Sequence, residues 1–386
     1  MLDHFFKILN SLRLTVVLLG FAVVLVFIGT LAQVDEGLYQ AQTRYFKSFL
    51  IYWTPAGSKF SIPVFPGGYL LGTVLLANLL SAHISRFKFT RKKLGIFAIH
   101  SGLILLLMGQ LLTDALSTES AMQIAEGQAL NYSQDFRASE LAVIDATDPK
   151  QDRVVSFSDS MASREKDLRH AELPFSIRVL NYWENSALFD SPTNGAFVVK
   201  ASKGYGTSAY FLPLKPTVGM EERNVPSALV EVITPEGSQG TWLLSSQTSS
   251  PQGLDYKGKS YRLALRFTRY YKPFSLKLES FTHERYRGTD IPKNFASVVR
   301  IQRPDTGEDR EVKIFMNNPL RYNGETYYQA GFHPDNDKLT HKITILQVVH
   351  NPSWLTPYFS CALVALGLMI QFGQHLFGFV QKRRTA

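Results

Sequence analysis

The sequence predicts a membrane protein with four transmembrane α-helices and a large extracytoplasmic β-rich domain inserted between helices 3 and 4. Two observations predict this fold class. Four stretches lack Asp, Glu, Lys and Arg and are long enough to cross a bilayer, which takes about 20 apolar residues; they lie at 14–34, 61–85, 94–113 and 355–380. Within the segment 114–354, by contrast, apolar and polar residues alternate in short runs, a pattern typical of half-buried strands.

The distribution of charge supports the membrane assignment. The chain of 386 residues carries a net charge of +9. The segment 114–354 holds 28 Lys and Arg against 29 Asp and Glu, whereas the remainder holds 13 against 3. All of the excess positive charge therefore flanks the apolar segments, as the positive-inside rule expects, and no basic face is left to indicate a nucleic-acid partner.

Each helix can be placed from its flanks. Helix 1, at 14–34, is too long for the apolar part of a signal peptide and continues into an aromatic segment. Helix 2 is expected at 67–85, because the preceding SIPVFPGG reads as a loop. Helix 3 at 94–113 completes an N-terminal membrane part, 1–113, and helix 4 at 355–380 leads into a short basic tail that ends at 386.

The basic residues also predict an orientation. Of the 13 Lys and Arg residues outside 114–354, ten lie in the N-terminus, in the loop 86–93 and in the tail. These three regions share one side of a four-pass arrangement. We therefore expect both termini to be cytosolic (or stromal) and residues 114–354 to face the opposite compartment. The expected location is a bacterial inner membrane, with a periplasmic domain, or a thylakoid. The aromatic segment 34–60 is expected to form an interfacial helix that serves as an anchor.

The domain 114–354 is expected to be an antiparallel sandwich or open barrel of about eight to ten strands. Helical periodicity is weak there, except near 160–170. Nine runs predict strands, at 174–183, 195–201, 228–233, 261–268, 274–281, 296–301, 311–315, 325–331 and 342–349.

Histidines within the apolar segments are the candidate functional residues, because ionisable groups in a bilayer are uncommon and often functional. His100 lies seven residues past Lys93, and His375 lies seven residues before Lys382, so each is roughly 10 Å from the cytosolic end of its helix. Their shared depth makes them a candidate pair, while His83 is expected near the surface. Such imidazoles can hydrogen-bond a neighbouring helix, relay protons or ligate a metal such as haem iron.

Several other kinds of chemistry have no support. The single cysteine, Cys361, excludes a disulfide framework and a CxxC redox centre. The sequence has no HExxH, GxSxG or Walker A motif, so neither a zinc hydrolase nor a nucleotide-dependent enzyme is indicated.

Five stretches together resemble the ResB (CcsB) family of cytochrome c biogenesis proteins, which act in the system II pathway. The order of these stretches around a β-rich domain is more specific than the apolar helices alone. They are LRLTVVLLGFAVVLVFIGTLAQVDEGLYQAQTRYF, HSGLILLLMGQLLT, PKNFASVVRI, MNNPLRYNGETYYQAGFHP and VVHNPSWLTPYFSCALVALGLMIQFGQHL.

The resemblance implies a subunit of a system II cytochrome c synthase that is itself non-catalytic or co-catalytic. With a CcsA-type integral membrane partner, such a subunit takes part in transporting haem b across the membrane and attaching it to apocytochrome c. The family's transmembrane histidine maps onto His100 through its HxG context, which implies a haem axial ligand there, with His375 a further candidate. The partner's tryptophan-rich motif is absent from this chain.

Two other functions stay open. The chain could be a membrane scaffold for envelope assembly, with histidines that only tie helices together. It could also be a haem-bearing quinone electron-transfer subunit, for which paired histidines such as His100 and His375 would be expected.

Overall fold

The chain folds as two compact units in the computed structural model. The structure describes residues 2–55, 60–86, 90–149, 151–217, 223–248, 250–289, 292–333 and 339–384. A helical unit is formed by residues up to Thr118 and from Asn351 onward, and a strand-rich unit lies within 119–350. Residues 56–59 of the predicted interfacial segment and 87–89 of the predicted basic loop lie outside the described residues.

Four long apolar helices confirm the predicted spans. Those long and apolar enough to cross a membrane cover Leu12–Glu36, Gly68–Ser85, Arg91–Leu116 and Thr356–Arg384. The second helix begins at Gly68, one residue after the predicted start at 67. The run before it, predicted as a loop, forms a strand at Ile62–Pro66. The α-helices of the described chain are α1 (Leu2–Leu9), α2 (Leu12–Glu36), α3 (Leu38–Ala41), α4 (Gly68–Arg86), α5 (Leu94–Leu116), α6 (Asp159–Arg164) and α7 (Thr356–Arg384).

The aromatic segment after α2 differs from the prediction. Instead of one interfacial helix it forms the short α3, a π-helical turn at Gln42–Phe46 and an antiparallel hairpin of β1 (Leu50–Trp53) and β2 (Ile62–Pro66). Alternating aromatic and β-branched residues in β1 and β2 favour strands over a helix. Lys47 donates to Asp114 at 2.7 Å, and Tyr69 also donates to Asp114, so the π-helical turn, α4 and α5 are joined by one polar cluster. Hydrogen bonding to Asp114 raises the pKa of Lys47.

The strand-rich unit contains more strands than the eight to ten predicted, and its strands Ala129–Asp145, Ser227–Thr234 and Lys259–Arg285 pair antiparallel with the neighbours whose register is described. One strand, β14 (Lys259–Arg285), covers two of the predicted strands. The short helix α6 lies at the start of the predicted helical region. The strands are β3 (Thr118–Ala125), β4 (Ala129–Asp145), β5 (Arg153–Ser158), β6 (Asp167–Leu168), β7 (Ser176–Trp183), β8 (Ser186–Phe189), β9 (Phe197–Val198), β10 (Tyr210–Pro213), β11 (Ser227–Thr234), β12 (Gly237–Ser245), β13 (Gln252–Tyr256), β14 (Lys259–Arg285), β15 (Pro292–Arg303), β16 (Glu308–Phe315), β17 (Leu320–Tyr322), β18 (Glu325–Phe332) and β19 (Ile343–His350).

The first part of the strand-rich unit is a sandwich. A sheet in the order β12-β11-β7-β6 packs its apolar side against β4, β5, β13 and the start of β14. Alternation along β7 buries Ile177, and alternation along β14 buries Leu263 and Leu265 in the same core. A smaller sheet of β8, β10 and β9 packs around Phe211.

The second part of the strand-rich unit is nearly barrel-like. Its strands follow the order β16-β15-β14-β4-β3-β19-β18-β17 and curl around a separate core that includes Tyr327 and Leu346. Tyr322 of β17 donates to Glu308 of β16 at 2.5 Å, which joins the two ends of the strand order. The sandwich or open barrel predicted from the sequence therefore corresponds to one unit that has both forms.

Candidate functional site

The site is built on α5, which packs against α7 through residues without bulky side chains. The buried residues of α5 are Gly95, Ala98, Gly102 and Gly109. A Cβ atom on Gly95 would lie 2.7 Å from the carbonyl oxygen of Gly367, so the two helix backbones are in direct contact. Such contacts are how helices associate in lipid, where no hydrophobic effect drives them together. The small residues of α5 thus accommodate a helix at this face.

His100 lies on another face of α5. Successive residues of an α-helix turn by about 100°, so His100 is roughly 140° from Gly95 and roughly 160° from Gly102 around the axis. Because these two glycines meet α7, the His100 side chain points away from α7. Its ring is only partly buried, and it lies on the side of α5 that meets α4.

His83 of α4 is the neighbour of His100. The centroids of the two imidazole rings are 6.2 Å apart and the rings are tilted by 58°. His83 also stacks on Phe97 of α5, with 4.7 Å between ring centroids, and its Nε2 is 3.5 Å from the Ser101 hydroxyl. His100 and Ser101 lie three and four residues after Phe97 along α5, so one side of this helix supplies these three neighbours of His83.

His375 is located elsewhere in the helical unit. It is exposed on α7, and its Nε2 is 2.8 Å from Nε2 of Gln371, one turn earlier on the same helix. No ring contact joins His375 to His100 among the residues that the structure describes. The structure therefore brings His100 together with His83 and not with the predicted candidate partner.

Sequence reasoning missed His83 because depth alone placed it near the membrane surface. The signal that could have found it is spacing along α5: Phe97 and Ser101 are four residues apart and flank His100. A helix face with an aromatic ring, an imidazole and a hydroxyl is polar enough to accept a second imidazole from a neighbouring helix.

The donor set is suited to haem iron. Haem iron takes one or two imidazoles as axial ligands, and the remainder of the macrocycle needs apolar surroundings. His83 and His100 supply two imidazoles, and Phe97 together with Ile84 of α4 and the exposed leucines of α5 supplies apolar surface. No cluster of three or more His, Cys, Asp or Glu side chains suited to a bare metal ion is present among the described residues.

Basic residues precede this site along the chain. Arg91, Lys92 and Lys93 form an exposed 3₁₀ turn that leads directly into α5. His100 is two helical turns further on, about 10 Å along the axis. An anionic ligand at His100 would therefore have cations at one end of its site.

The outer histidines do not form a comparable group. His283 packs against Phe332 with 4.3 Å between ring centroids, and Nδ1 of His170 accepts a backbone hydrogen bond from Glu172. His350 is exposed at the end of β19. Cys361, also exposed, lies on α7.

Two comparisons with known proteins bear on this chain. Residues 232–345 match the model of the ResB-like family. Protein NrfI of Wolinella succinogenes is 29% identical over 303 residues, which is 78% of this chain and 29% of NrfI. The chain thus spans less than a third of that relative's length. The matched segment runs from β11 to β19 and includes the stretch MNNPLRYNGETYYQAGFH, so the resemblance predicted from this motif is confirmed.

Proposed function

From the resemblance of this chain to the ResB-like family, we propose that it is a membrane subunit of cytochrome c biogenesis that binds haem b at His83 and His100. The family match and the similarity to NrfI support the role in cytochrome c biogenesis. The observation that supports the haem step is the pairing of two imidazoles on neighbouring apolar helices, at 6.2 Å between ring centroids. In this proposal haem is cargo that is bound and passed on.

His100 is the ligand in this proposal. Neutral imidazole is a good ligand for iron and is much cheaper to hold in an apolar medium than a charged side chain. The HxG context that carries the family resemblance, His100 followed by Ser101 and Gly102, places the ring on one face of α5 and the helix contact on another. The ring is therefore free of the α5–α7 interface.

His83 is the candidate for the second axial ligand in this proposal. Stacking on Phe97 holds the His83 ring beside α5. A second axial ligand from a CcsA-type partner is the other arrangement, and it would leave His83 at the edge of the haem.

The basic turn before α5 supplies an attraction for the haem propionates. Propionates are carboxylates, and guanidinium and ammonium groups pair with them over short distances. Arg91, Lys92 and Lys93 lie at the end of α5 that we expect to be cytosolic, and residues 114–354 are expected to face the opposite compartment. Haem would therefore enter near the cytosolic end, and the strand-rich unit would meet apocytochrome c and the partner subunit.

The test is the absorption spectrum of the full chain purified in detergent with a CcsA-type partner. We expect a Soret band that His100→Ala abolishes and that His83→Ala weakens or shifts. His375→Ala tests whether His375 is the partner of His100, as the sequence suggested. His170→Ala, in the strand-rich unit, is the matched control. Unchanged haem content in His100→Ala would contradict the proposal, and with normal cytochrome maturation it would favour a scaffold. Stoichiometric haem with a reversible redox transition would favour quinone electron transfer.

A further inference from the structure

We propose that the strand-rich unit has an anion site on β14 that binds a carboxylate attached to a flat apolar group. A cavity of about 230 Å³ opens beside this strand. Three arginines, Arg262, Arg266 and Arg269, line it together with Tyr271 and Asp152. The site lies wholly within the strand-rich unit and does not depend on the haem proposal.

The three arginines share one face of β14 because of a β-bulge. Arg262 and Arg266 alternate with Leu263 and Leu265, which are buried in the sandwich core, so the arginines point to the opposite side of the sheet. The pairing of β14 with β4 shifts register between Phe267 and Arg269. At this irregularity Thr268 of β14 and residues 135–138 of β4 are left out of the pairing between the two strands, and such an interruption changes which side chains share a face of the strand. Arg269 and Tyr271 consequently join Arg262 and Arg266.

Arg266 is already neutralised. Its Nε donates to Glu140 of β4 at 2.9 Å, and both side chains are nearly buried. One of its terminal nitrogens also donates to the Tyr271 hydroxyl at 3.2 Å. This arginine therefore holds the wall of the cavity and orients the tyrosine.

Arg262 and Arg269 have no carboxylate partner among the residues that the structure describes. Arg269 lies over the Tyr132 ring at 4.1 Å from its centroid, and its buried Nε has no acceptor among the described residues. Arg262 is exposed and makes no ion pair within the part of the chain that the structure describes. A buried donor without an acceptor is unfavourable, and a ligand that supplies the acceptor removes that cost.

The chemistry of the lining selects the ligand. A guanidinium presents two parallel donors that match the two oxygens of a carboxylate. Tyr271 is half exposed and contacts the Tyr132 ring at 5.7 Å between centroids, so an apolar ring can lie beside the guanidinium groups. Asp152 is the one acidic residue among the lining residues described, and it disfavours a second negative charge. The volume is below the 300 Å³ or so of a drug-sized pocket, so a small ring with one carboxylate fits.

The experiment uses the full chain in detergent and two fluorinated probes observed by ¹⁹F NMR. 4-Fluorobenzoate carries the carboxylate, and 4-fluorobenzamide is its neutral counterpart. We expect saturable binding of the benzoate, weaker by about tenfold in Arg262→Gln or Arg269→Gln, which corresponds to 1.4 kcal/mol, and lost in the double variant. The benzamide should not compete.

Arg310→Gln is the matched control, because Arg310 lies on β16 and is paired with Glu308. It should bind the benzoate as the wild type does. Arg262 is exposed, so Arg262→Gln keeps the test valid even if Arg269→Gln impairs folding. Absence of saturable benzoate binding to the wild type, equal binding by the benzamide, or unchanged affinity in Arg262→Gln would overturn the proposal. None of these outcomes involves haem, so they are separate from the test of His100.

Discussion

The helical unit and the strand-rich unit arrange the same apolar residue types in opposite ways. Helices α2 and α7 leave Val23 and Phe372 each 70% exposed, whereas the strand-rich unit buries Leu263 and Tyr327 completely. In water such exposed apolar side chains would be unfavourable, but lipid solvates them. The helical unit is therefore held together by close backbone contacts, polar clusters and one small apolar cluster that includes Leu25 and Leu71, whereas the strand-rich unit is held together by extensive side-chain burial. The difference indicates that the chain is a membrane protein with one unit suited to each medium.

The largest effect is expected where two helix backbones meet. Gly367→Leu should separate α5 from α7, because even a Cβ atom on Gly367 would lie 2.7 Å from the carbonyl oxygen of Gly95. We expect the variant protein to be lost on extraction into detergent, as measured by size-exclusion chromatography. Gly373→Leu on the same helix meets nothing within 4 Å and should behave as the wild type. Equal recovery of both variants would show that the helices do not depend on this contact.

Removing one partner of a buried ion pair should have the next largest effect, in the strand-rich unit. Lys272 of β14 pairs with Glu325, and their side chains are only 7% and 13% exposed. Lys272→Met leaves the carboxylate with the Tyr327 hydroxyl as its remaining donor, so the free energy of unfolding should fall by about 3–5 kcal/mol. Urea denaturation followed by tryptophan fluorescence measures it.

The control for this ion pair lies on the same strand. Lys259 pairs with Asp145 at 3.1 Å but is 55% exposed, so Lys259→Met should lower the free energy of unfolding far less than Lys272→Met does. A loss as large as that for Lys272→Met would mean that burial does not decide the value of these pairs.

Truncation of a buried side chain should destabilise the strand-rich unit more than truncation of an exposed side chain on the same strand. Ile177 and Leu180 both belong to β7, yet Ile177 is fully buried and Leu180 is 43% exposed. Ile177→Ala should destabilise the strand-rich unit by about 2–5 kcal/mol, because it removes buried methyl groups and leaves a cavity. Leu180→Ala should cost much less, and similar denaturation midpoints for the two variants would contradict the sandwich core.

The smallest effect is expected at an exposed carboxylate. Hydrogen bonds from Tyr256 and then Lys257 lower the pKa of Glu236 to about 2. A group with a lowered pKa stabilises the fold above its ordinary value near 4.5, and that contribution is lost as the pH falls toward 2. Tyr256→Phe should raise the pKa of Glu236 in a ¹³C NMR titration and leave Glu308, whose neighbours are Tyr322 and Arg310, unchanged. An unaltered Glu236 titration would contradict the hydrogen bond.

The sequence predicted the membrane helices well because the requirement for about 20 uncharged residues is local. It also predicted strands such as β7, β11 and β19 from alternation alone. It did not predict that β14 runs unbroken through two of the predicted strands, because a bulge at Phe267–Arg269 changes the alternation without ending the strand. The sequence predicted β1 as part of an interfacial helix, since aromatic residues suit either structure at an interface, and it predicted the run that forms β2 as a loop.

For the candidate site, the sequence singled out His100, from its depth and its HxG context, and did not single out the imidazole beside it. His83 could not be found in this way, because which side of α5 faces α4 depends on how the helices pack together; Gly95 and Gly102 direct one side of α5 to α7, and His100 lies on another. Depth in the bilayer, which suggested His375, fixes position along a helix but not direction around it.

Replacement of the ring itself tests the central claim most directly. In His100→Gly, purified with a CcsA-type partner, added imidazole should restore the Soret band, because the free ligand can occupy the space left by the side chain. Restoration by imidazole, and not by a non-ligating amine of similar size, is the result that the account predicts. A Soret band of full intensity in His100→Gly without imidazole would contradict it.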